Sequence, residues 1–219
     1  MIDITGSKSA QPSTVEQSLQ RLERIFAGGW RDDFGEIGNE IASLRDGRSL
    51  LRHFINVHAR NLTWPALSGT QSFTIYNGAS FYVRINIWMP YVKNMTDSYR
   101  KYLSIDVIHN HHFDFFTTCL HGPGYSSTFW RDDSHGPERQ MGELVNLTRE
   151  IRVSLSGQNI WFVERGADYH SQHWPDDFSV TLNVIPKERD DTAAVQYVLD
   201  DGGRVASIIA SARQGSPAQ

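Results

Sequence analysis

The first part of the chain repeats apolar residues at the spacing of an α-helix. Between residues 15 and 26 they recur three and four apart, and the glycines at 28 and 29 end the pattern. Ser13 stands just before this segment and is expected to be its N-cap. Two further helices are predicted within 34–44 and 48–59. Residues 1–13 are predicted to be a flexible arm, and residues 14–70 a helical N-terminal cap packed on the remainder of the protein.

From Gln71 the repeat changes to two residues, which is the period of a β-strand. Residues 73–88 contain two such patterns around Asn77-Gly78, the strongest short signal for a hairpin. Further strands are predicted at 102–120, 126–131, 144–154, 158–164, 178–186 and 194–200, and residues 204–213 fit a short helix or strand. The expected fold is mainly β: a barrel or double-sheet jelly roll over residues 71–200, followed by a partly disordered C-terminal segment at 201–219.

A run of histidines lies inside one of these predicted strands. Because side chains on a strand alternate between faces, His109 and His111 share one face, whereas His112 and Asp114 share the other. His170 lies downstream, after a glycine turn and before a strand-like run. Two metal sites that exclude one another can be drawn: His109, His111 and His170, or a facial triad of His112, Asp114 and His170.

The two sites make different demands on the rest of the chain. A facial triad is typical of 2-oxoglutarate-dependent oxygenases, which usually carry an arginine about ten residues after the last histidine to pair with the co-substrate carboxylate. Residues 176–181 read Asp-Asp-Phe-Ser-Val-Thr and contain no arginine. The three-histidine site is therefore favoured. The alternative to both is that these histidines are ordinary surface or core groups.

The histidine spacing belongs to a larger pattern that resembles a known superfamily. His109-Asn110-His111 is followed by the turn Gly122-Pro123-Gly124, and His170 leads into a strand with the sequence Ser-Val-Thr-Leu at 179–182. This pattern, over about residues 70 to 190, resembles the cupins, which are small metal-binding β-barrels. It is most similar to cupins with three histidine ligands, such as the thiol dioxygenases and the cupin domain of the N-nitrosourea synthases. The usual cupin glutamate is replaced by Phe115 or Phe116.

The resemblance implies a cupin-type barrel with a mononuclear Fe(II) ion as cofactor and O2 as co-substrate. Three neutral histidines leave about three positions open for substrate and oxygen, whereas a structural zinc site normally has four protein ligands. Residues flanking His170 are candidates to fix the tautomer of a ligand through a hydrogen bond. These candidates are Asp168, Gln172 and His173.

The predicted strand 81–88 has one mixed face that is a candidate substrate-binding surface. An arginine among aromatic and amide side chains can line a pocket and pair with a substrate carboxylate, and the alternative is a solvated outward face. The residues of this face are Tyr82, Arg84, Asn86 and Trp88. Phe113 extends the ligand face as an apolar wall, and Tyr125 follows the Gly-Pro-Gly turn, so both are further candidates to contact substrate.

Composition narrows the class of protein. A length of 219 residues suits one large barrel domain, and a net charge of −4 argues against a nucleic-acid binder. The single cysteine, Cys119, excludes an intramolecular disulfide and suits a reducing cytoplasm. No apolar run approaches the roughly 20 residues of a membrane span, and the first residues do not resemble a signal peptide. A cytoplasmic protein without a membrane partner is expected, with a homodimer as a possible assembly.

Three functional hypotheses are compatible with these features. The first is an Fe(II)-dependent cupin oxygenase of dioxygenase type, acting on a small carboxylate-bearing, amino-acid-like metabolite. The second is an isomerase, lyase or hydrolase in which zinc, nickel or manganese acts as a Lewis acid. The third is a cupin-like ligand-binding module without catalytic activity. The histidine spacing does not separate the first two, because both need the same imidazoles.

Overall fold

The computed structural model describes residues 1–5, 13–45, 49–54, 56, 66–67, 71–93, 96–134, 138–187 and 195–210. Within these residues, helices α1 (Val15–Gly28) and α2 (Phe34–Leu44) flank a 3₁₀ turn at Trp30–Asp32. Residues 49–54 are helical (α3), inside the helix predicted for 48–59, and α4 (Asp97–Tyr102) lies between strands. No helix in this part of the chain combines the length and the hydropathy needed to cross a membrane.

The N-cap of α1 is Thr14, one residue after the predicted Ser13. Thr14 Oγ1 accepts a hydrogen bond from the backbone N–H of Gln17 (3.2 Å), and Gln17 Oε1 accepts one from the backbone N–H of Thr14 (3.0 Å). This reciprocal capping box needs a glutamine three residues after the cap, and only Thr14 has that spacing. Gly29, in the left-handed conformation with φ of 100°, ends the helix.

The strands form two antiparallel sheets, which confirms the prediction of a mainly β jelly roll. The seven-stranded sheet has the order β1-β9-β6-β11-β4-β3-β2, and the six-stranded sheet has the order β13-β12-β5-β10-β7-β8. Their bounds are β1 Ile2–Asp3, β2 Ala66–Leu67, β3 Ser72–Asn77, β4 Phe81–Trp88, β5 Ile108–His109, β6 Phe115–His121, β7 Ser126–Arg131, β8 Thr148–Ser154, β9 Ile160–Val163, β10 Asp168–Gln172, β11 Ser179–Pro186, β12 Val195–Leu199 and β13 Val205–Ala210.

The two faces of the seven-stranded sheet have different partners. Phe81 and Val83 of β4 belong to the same buried cluster as Leu22 and Phe26 of α1, so this face packs against the N-terminal helices. The opposite face of β4 points between the sheets, where Tyr82 packs on an aromatic and aliphatic cluster around Phe115 and Phe129. Alternation along β4 therefore directs the mixed face into the barrel rather than into water.

The continuous strand predicted for 102–120 is wrong. The chain forms α4, then the short strand β5 in one sheet, and then β6 in the other, with residues 110–114 outside both sheets. Asn110 follows β5 and bonds twice to Tyr197: its backbone N–H donates to the Tyr197 carbonyl (3.1 Å), and its Oδ1 accepts from the Tyr197 backbone N–H (2.7 Å). The crossing segment ends at the buried carboxylate of Asp114, which binds Arg31 (2.6 Å). Side-chain contacts with residues distant in the sequence thus hold the crossing segment where local periodicity predicts a strand.

Both ends of the chain contribute strands. β1 lies within the predicted arm and pairs with β9 through Ile2 and Phe162. β13 lies within the predicted C-terminal segment and pairs with β12, so the region that fitted a helix or a strand contains a strand at Val205–Ala210. The sheets therefore extend beyond the barrel limits of 71–200 expected from sequence.

Candidate metal centre

Three histidine side chains converge between the two sheets. His109 of β5 and His170 of β10 are direct partners across adjacent strands, so their side chains lie side by side. His111 reaches the same point from the crossing segment. The Nε2 atom of His170 lies 3.2 Å from Nε2 of His109 and 3.0 Å from Nε2 of His111. The structure thus brings together all three predicted ligands of the three-histidine site.

These distances fit a shared metal ion. Metal–imidazole bonds of about 2.1 Å place two nitrogens about 3.0 Å apart at a right angle and about 3.4 Å apart at a tetrahedral angle. His109 Nδ1 donates a hydrogen bond to the carbonyl of Val107 (2.9 Å), which leaves Nε2 of the neutral ring with a free lone pair. Among the described residues, the three histidines form the only group of at least three potential metal-ligating side chains whose ligand atoms lie within 4.8 Å of one another.

Burial keeps all three imidazoles neutral. His109 and His170 are 2% and 1% exposed, and burial lowers the pKa of each ring. The pKa of His111 lies well below its ordinary value, first through burial and then through the neighbouring His109, His170 and Arg84. A neutral imidazole is the form that binds a metal, so the site needs no deprotonation at neutral pH.

The position of His111 depends on the crossing segment. The carbonyl of His111 accepts from the backbone N–H of Gly166 (3.0 Å), and Asn110 Nδ2 donates to the carbonyl of Gly166 (3.3 Å). Together with the hydrogen bond from the backbone N–H of Tyr197 to Asn110 Oδ1, these contacts attach the segment to β12 and to the turn before β10. Asn110 was not identified as a functional residue from sequence. A buried asparagine between two ligand histidines, where an apolar residue would suit a strand, is the signal that could have identified it.

Aromatic rings line part of the cluster. The ring of His111 lies 5.0 Å from those of Phe113 and Phe115, and the ring of Phe129 lies 5.2 Å from that of His170. His170 Nδ1 is buried and has no hydrogen-bond partner among the described residues. This apolar lining matches the wall that the sequence predicted for Phe113.

The carboxylate of the alternative facial triad is engaged elsewhere. Asp114 is fully buried, and its two oxygens accept from Arg31 Nη2 (2.6 Å) and from the backbone N–H of Arg165 (2.8 Å). The ring of His112 packs against that of Phe113, with centroids 4.9 Å apart. Asp114 therefore ties the crossing segment to the 3₁₀ turn, and the structure does not gather His112, Asp114 and His170 into one group of ligand atoms.

The residues predicted to orient the ligands lie in three different surroundings. Asp168 forms ion pairs with Arg131 (3.2 Å) and the Met1 ammonium group (2.5 Å). His173 bonds to Asp106 (2.7 Å) through Nδ1 and to the hydroxyl of Thr128 (2.9 Å) through Nε2, at the end of β10. The side chain of Gln172 lies next to Tyr125 in the barrel interior. Asp168 and His173 thus have other partners, and none of the three has a hydrogen bond to a ligand histidine.

Arg84 is the cation nearest the cluster. Its Cζ lies 5.4 Å from the centre of the Phe113 ring, and its charge contributes to the low pKa of His111. Burial lowers the pKa of the Arg84 guanidinium. The neighbouring phenols of Tyr82 and Tyr125 act in the opposite direction and raise it. Arg84 Nε is buried without a hydrogen-bond partner, and among the described residues no carboxylate forms an ion pair with Arg84. A guanidinium in this position has the charge and the N–H groups to pair with an anion.

Trp88 and Asn86, which were also predicted to bind substrate, form hydrogen bonds with other side chains of the barrel. Trp88 Nε1 donates to Thr181 Oγ1 (2.9 Å), and its ring lies 4.4 Å from that of Tyr125. Asn86 Oδ1 accepts from the hydroxyl of Ser72 (2.7 Å). Trp88 and Asn86 thus have protein partners, whereas Arg84 and Tyr125 interact electrostatically with one another.

The fold and the cluster define a jelly-roll protein with three convergent histidines between its sheets. No family model matches the chain, and no curated protein matches it. Solved structures similar to parts of the chain include the polyketide cyclase RemF from Streptomyces resistomycificus, with a TM-score of 0.31, 12% identity and coverage of 56% of this chain and 71% of that chain.

Two further similar structures are a dioxygenase and a cupin domain. Hydroquinone 1,2-dioxygenase PnpCD, in complex with Cd2+ and 4-hydroxybenzonitrile, has a TM-score of 0.33 and 10% identity over 53% of this chain and 63% of that one. A cupin domain from Bordetella pertussis Tohama I has a TM-score of 0.30 and 9% identity over 56% of this chain and 100% of that one. At this similarity, activities and ligands are properties of those proteins alone.

Proposed function

We propose that the protein is a mononuclear Fe(II)-dependent oxygenase of the cupin type, acting on a small molecule that carries a carboxylate. The observation that supports this most directly is the convergence of the Nε2 atoms of three neutral imidazoles, with Arg84 in the same interior. No described aspartate, glutamate or cysteine joins the three histidines, so the protein would leave the charge of a bound divalent ion uncompensated. An anionic substrate that reaches the ion would supply that charge.

An iron ion held by three histidines supplies open positions and electrons for the reduction of dioxygen. The protein's own residues would orient the substrate and exclude water. Arg84 would hold the substrate carboxylate in a bidentate ion pair, because a planar guanidinium matches the two oxygens of a carboxylate. Phe113 and Phe115 would keep bulk water from the ligand side of the cluster.

The function is tested by metal loading and oxygen uptake. The metal-free protein is reconstituted with Fe(II) under nitrogen, its iron content is measured, and small carboxylates are screened for consumption of dissolved oxygen. We expect one iron per chain and oxygen uptake that depends on one class of carboxylate. Turnover with zinc and without oxygen uptake would instead support the Lewis-acid enzyme, because three histidines bind either ion. Ligand binding by protein that binds no metal would support a binding module.

Arg84 gives a second expected result. Arg84→Lys keeps the positive charge but loses the planar fork, so the KM for the substrate found in the screen should rise by about tenfold, and by more in Arg84→Ala. Arg152→Lys is the matched control, because Arg152 is exposed on β8 and donates only to the hydroxyl of Ser126 (3.1 Å). Unchanged KM values in both Arg84 variants would remove Arg84 from the substrate site.

A further inference from the structure

Gln172 carries a further polar atom without a hydrogen-bond partner in the barrel interior. It lies two residues beyond His170 on β10, so both side chains are on the same face of the six-stranded sheet. The residue is 8% exposed, and its Oε1 is buried without a hydrogen-bond partner among the described residues. Buried side-chain acceptors are normally paired, because an unpaired one is unfavourable for folding. An acceptor in this state next to a metal-ligand candidate points to a ligand that donates to it.

Gln172 and Arg84 are on opposite walls of the same interior. Arg84 is on β4 of the seven-stranded sheet, and Gln172 is on β10 of the six-stranded sheet. The side chain of Gln172 forms a hydrogen bond with Tyr125, and Tyr125 also interacts electrostatically with Arg84, so one phenol connects the two walls. Packed sheets are about 10 Å apart, and the two side chains extend into that space from opposite sides, so a ligand that contacts both must be short. Among the described residues, Arg84 on one wall has no carboxylate partner and a buried Nε–H without an acceptor. Gln172 on the other wall has a side-chain carbonyl without a donor.

We propose that the interior selects small molecules with two polar groups: an anionic group for Arg84 and a hydrogen-bond donor, an ammonium or a hydroxyl, for Oε1 of Gln172. This inference rests on the proposed role of Arg84 as the carboxylate anchor. Gln172 is then a specificity-determining residue, not a group that orients a metal ligand. A simple alkyl carboxylate would leave the carbonyl of Gln172 unpaired after water is excluded, so it would bind more weakly than its amino or hydroxy analogue.

The test compares matched ligands that differ in one donor. Dissociation constants are measured by calorimetry for propionate, butyrate and valerate, and for the same acids with a terminal amino or hydroxyl group. The protein is used both metal-free and loaded with zinc, which is not redox-active. We expect at least one chain length at which the donor improves affinity by about tenfold or more in the wild type. Gln172→Leu should abolish this preference, and Gln172→Glu should retain it for the amino acids.

Two controls separate recognition from folding. Gln158→Leu changes an exposed glutamine in a turn and should keep the full preference for donor-bearing ligands. Gln172→Leu removes the unpaired acceptor and also the hydrogen bond to Tyr125, so its fold is checked by circular dichroism, and Gln172→Glu, which keeps an acceptor on a side chain of the same length, is the second variant. The proposal is overturned if no chain length shows the preference, or if the preference persists in Gln172→Leu. Neither result depends on iron or oxygen uptake, so failure of this inference is distinguishable from failure of the proposed function.

Discussion

His170→Ala should leave the protein without stoichiometric metal and without turnover. His170 is the central residue of the cluster, because its Nε2 lies within 3.2 Å of the Nε2 atoms of both His109 and His111. Removing one of three ligands should lower metal affinity far more than the roughly 10- to 100-fold loss typical when a residue that only orients a ligand is removed. Elemental analysis of folded protein, after reconstitution with Fe(II) or zinc and desalting, measures the result. His111→Ala should give the same loss.

Three variants serve as controls. His173→Ala should keep the metal, because His173 bonds to Asp106 and Thr128 at the end of β10. His112→Ala should also keep it. Asp114→Ala should lower stability, since it leaves the backbone N–H of Arg165 without its acceptor, but it should not remove the metal. Metal loss in His112→Ala and Asp114→Ala, with retention in His111→Ala, would favour the facial triad and a 2-oxoglutarate-dependent reaction.

Phe116→Ala should lower the free energy of unfolding by about 3–5 kcal/mol, the usual effect of emptying a fully buried phenylalanine site. Phe116 projects from β6 to the helical side of the seven-stranded sheet and is 0% exposed. Its ring lies within 6.0 Å of the rings of Trp30, Phe34 and Phe162, so one side chain joins the helices to the sheet. Urea unfolding followed by circular dichroism measures the change.

The matched control for Phe116 is Phe178→Ala. Phe178 is 38% exposed just before β11, and its ring lies 5.9 Å from that of His121, so its removal should change stability by less than about 1 kcal/mol. Equal effects of the two substitutions would contradict the packing of the helices on the sheet. Metal content should be the same in both variants, because Phe116 and the histidines lie on opposite faces of the barrel wall.

The sequence alone determined the elements that depend on local periodicity. Alternation with period two predicted β3 and β4 around Asn77-Gly78, and the bounds of β7 were predicted without error, because a strand with one buried face must repeat every two residues. Helical spacing predicted α1 and α2 in the same way. The set of His109, His111 and His170 was also predicted. The period of a strand puts His109 and His111 on one face, and His170 lies just before another strand-like run.

Only the tertiary structure decided how these residues are held. The sequence explained His109 and His111 by one continuous strand, whereas the chain leaves the first sheet after His109 and enters the second at Phe115. That path depends on Asn110 bonding to Tyr197 and Asp114 bonding to Arg31, which are contacts between residues 87 and 83 positions apart. Local periodicity does not encode such distant pairs.

The orientation of β4 and the surroundings of β10 were decided in the same way. The alternation of Arg84 with apolar neighbours was visible in the sequence, but either face could have been the inner one. The helices cover the face of Phe81 and Val83, and this packing turns Arg84 toward the histidines. The bonds of Asp168 and His173 to remote partners likewise left Gln172, beside His170, as a polar side chain of β10 in the interior. A strand's two faces are equivalent until another layer of the protein covers one of them, and that choice is made by residues far away in the chain.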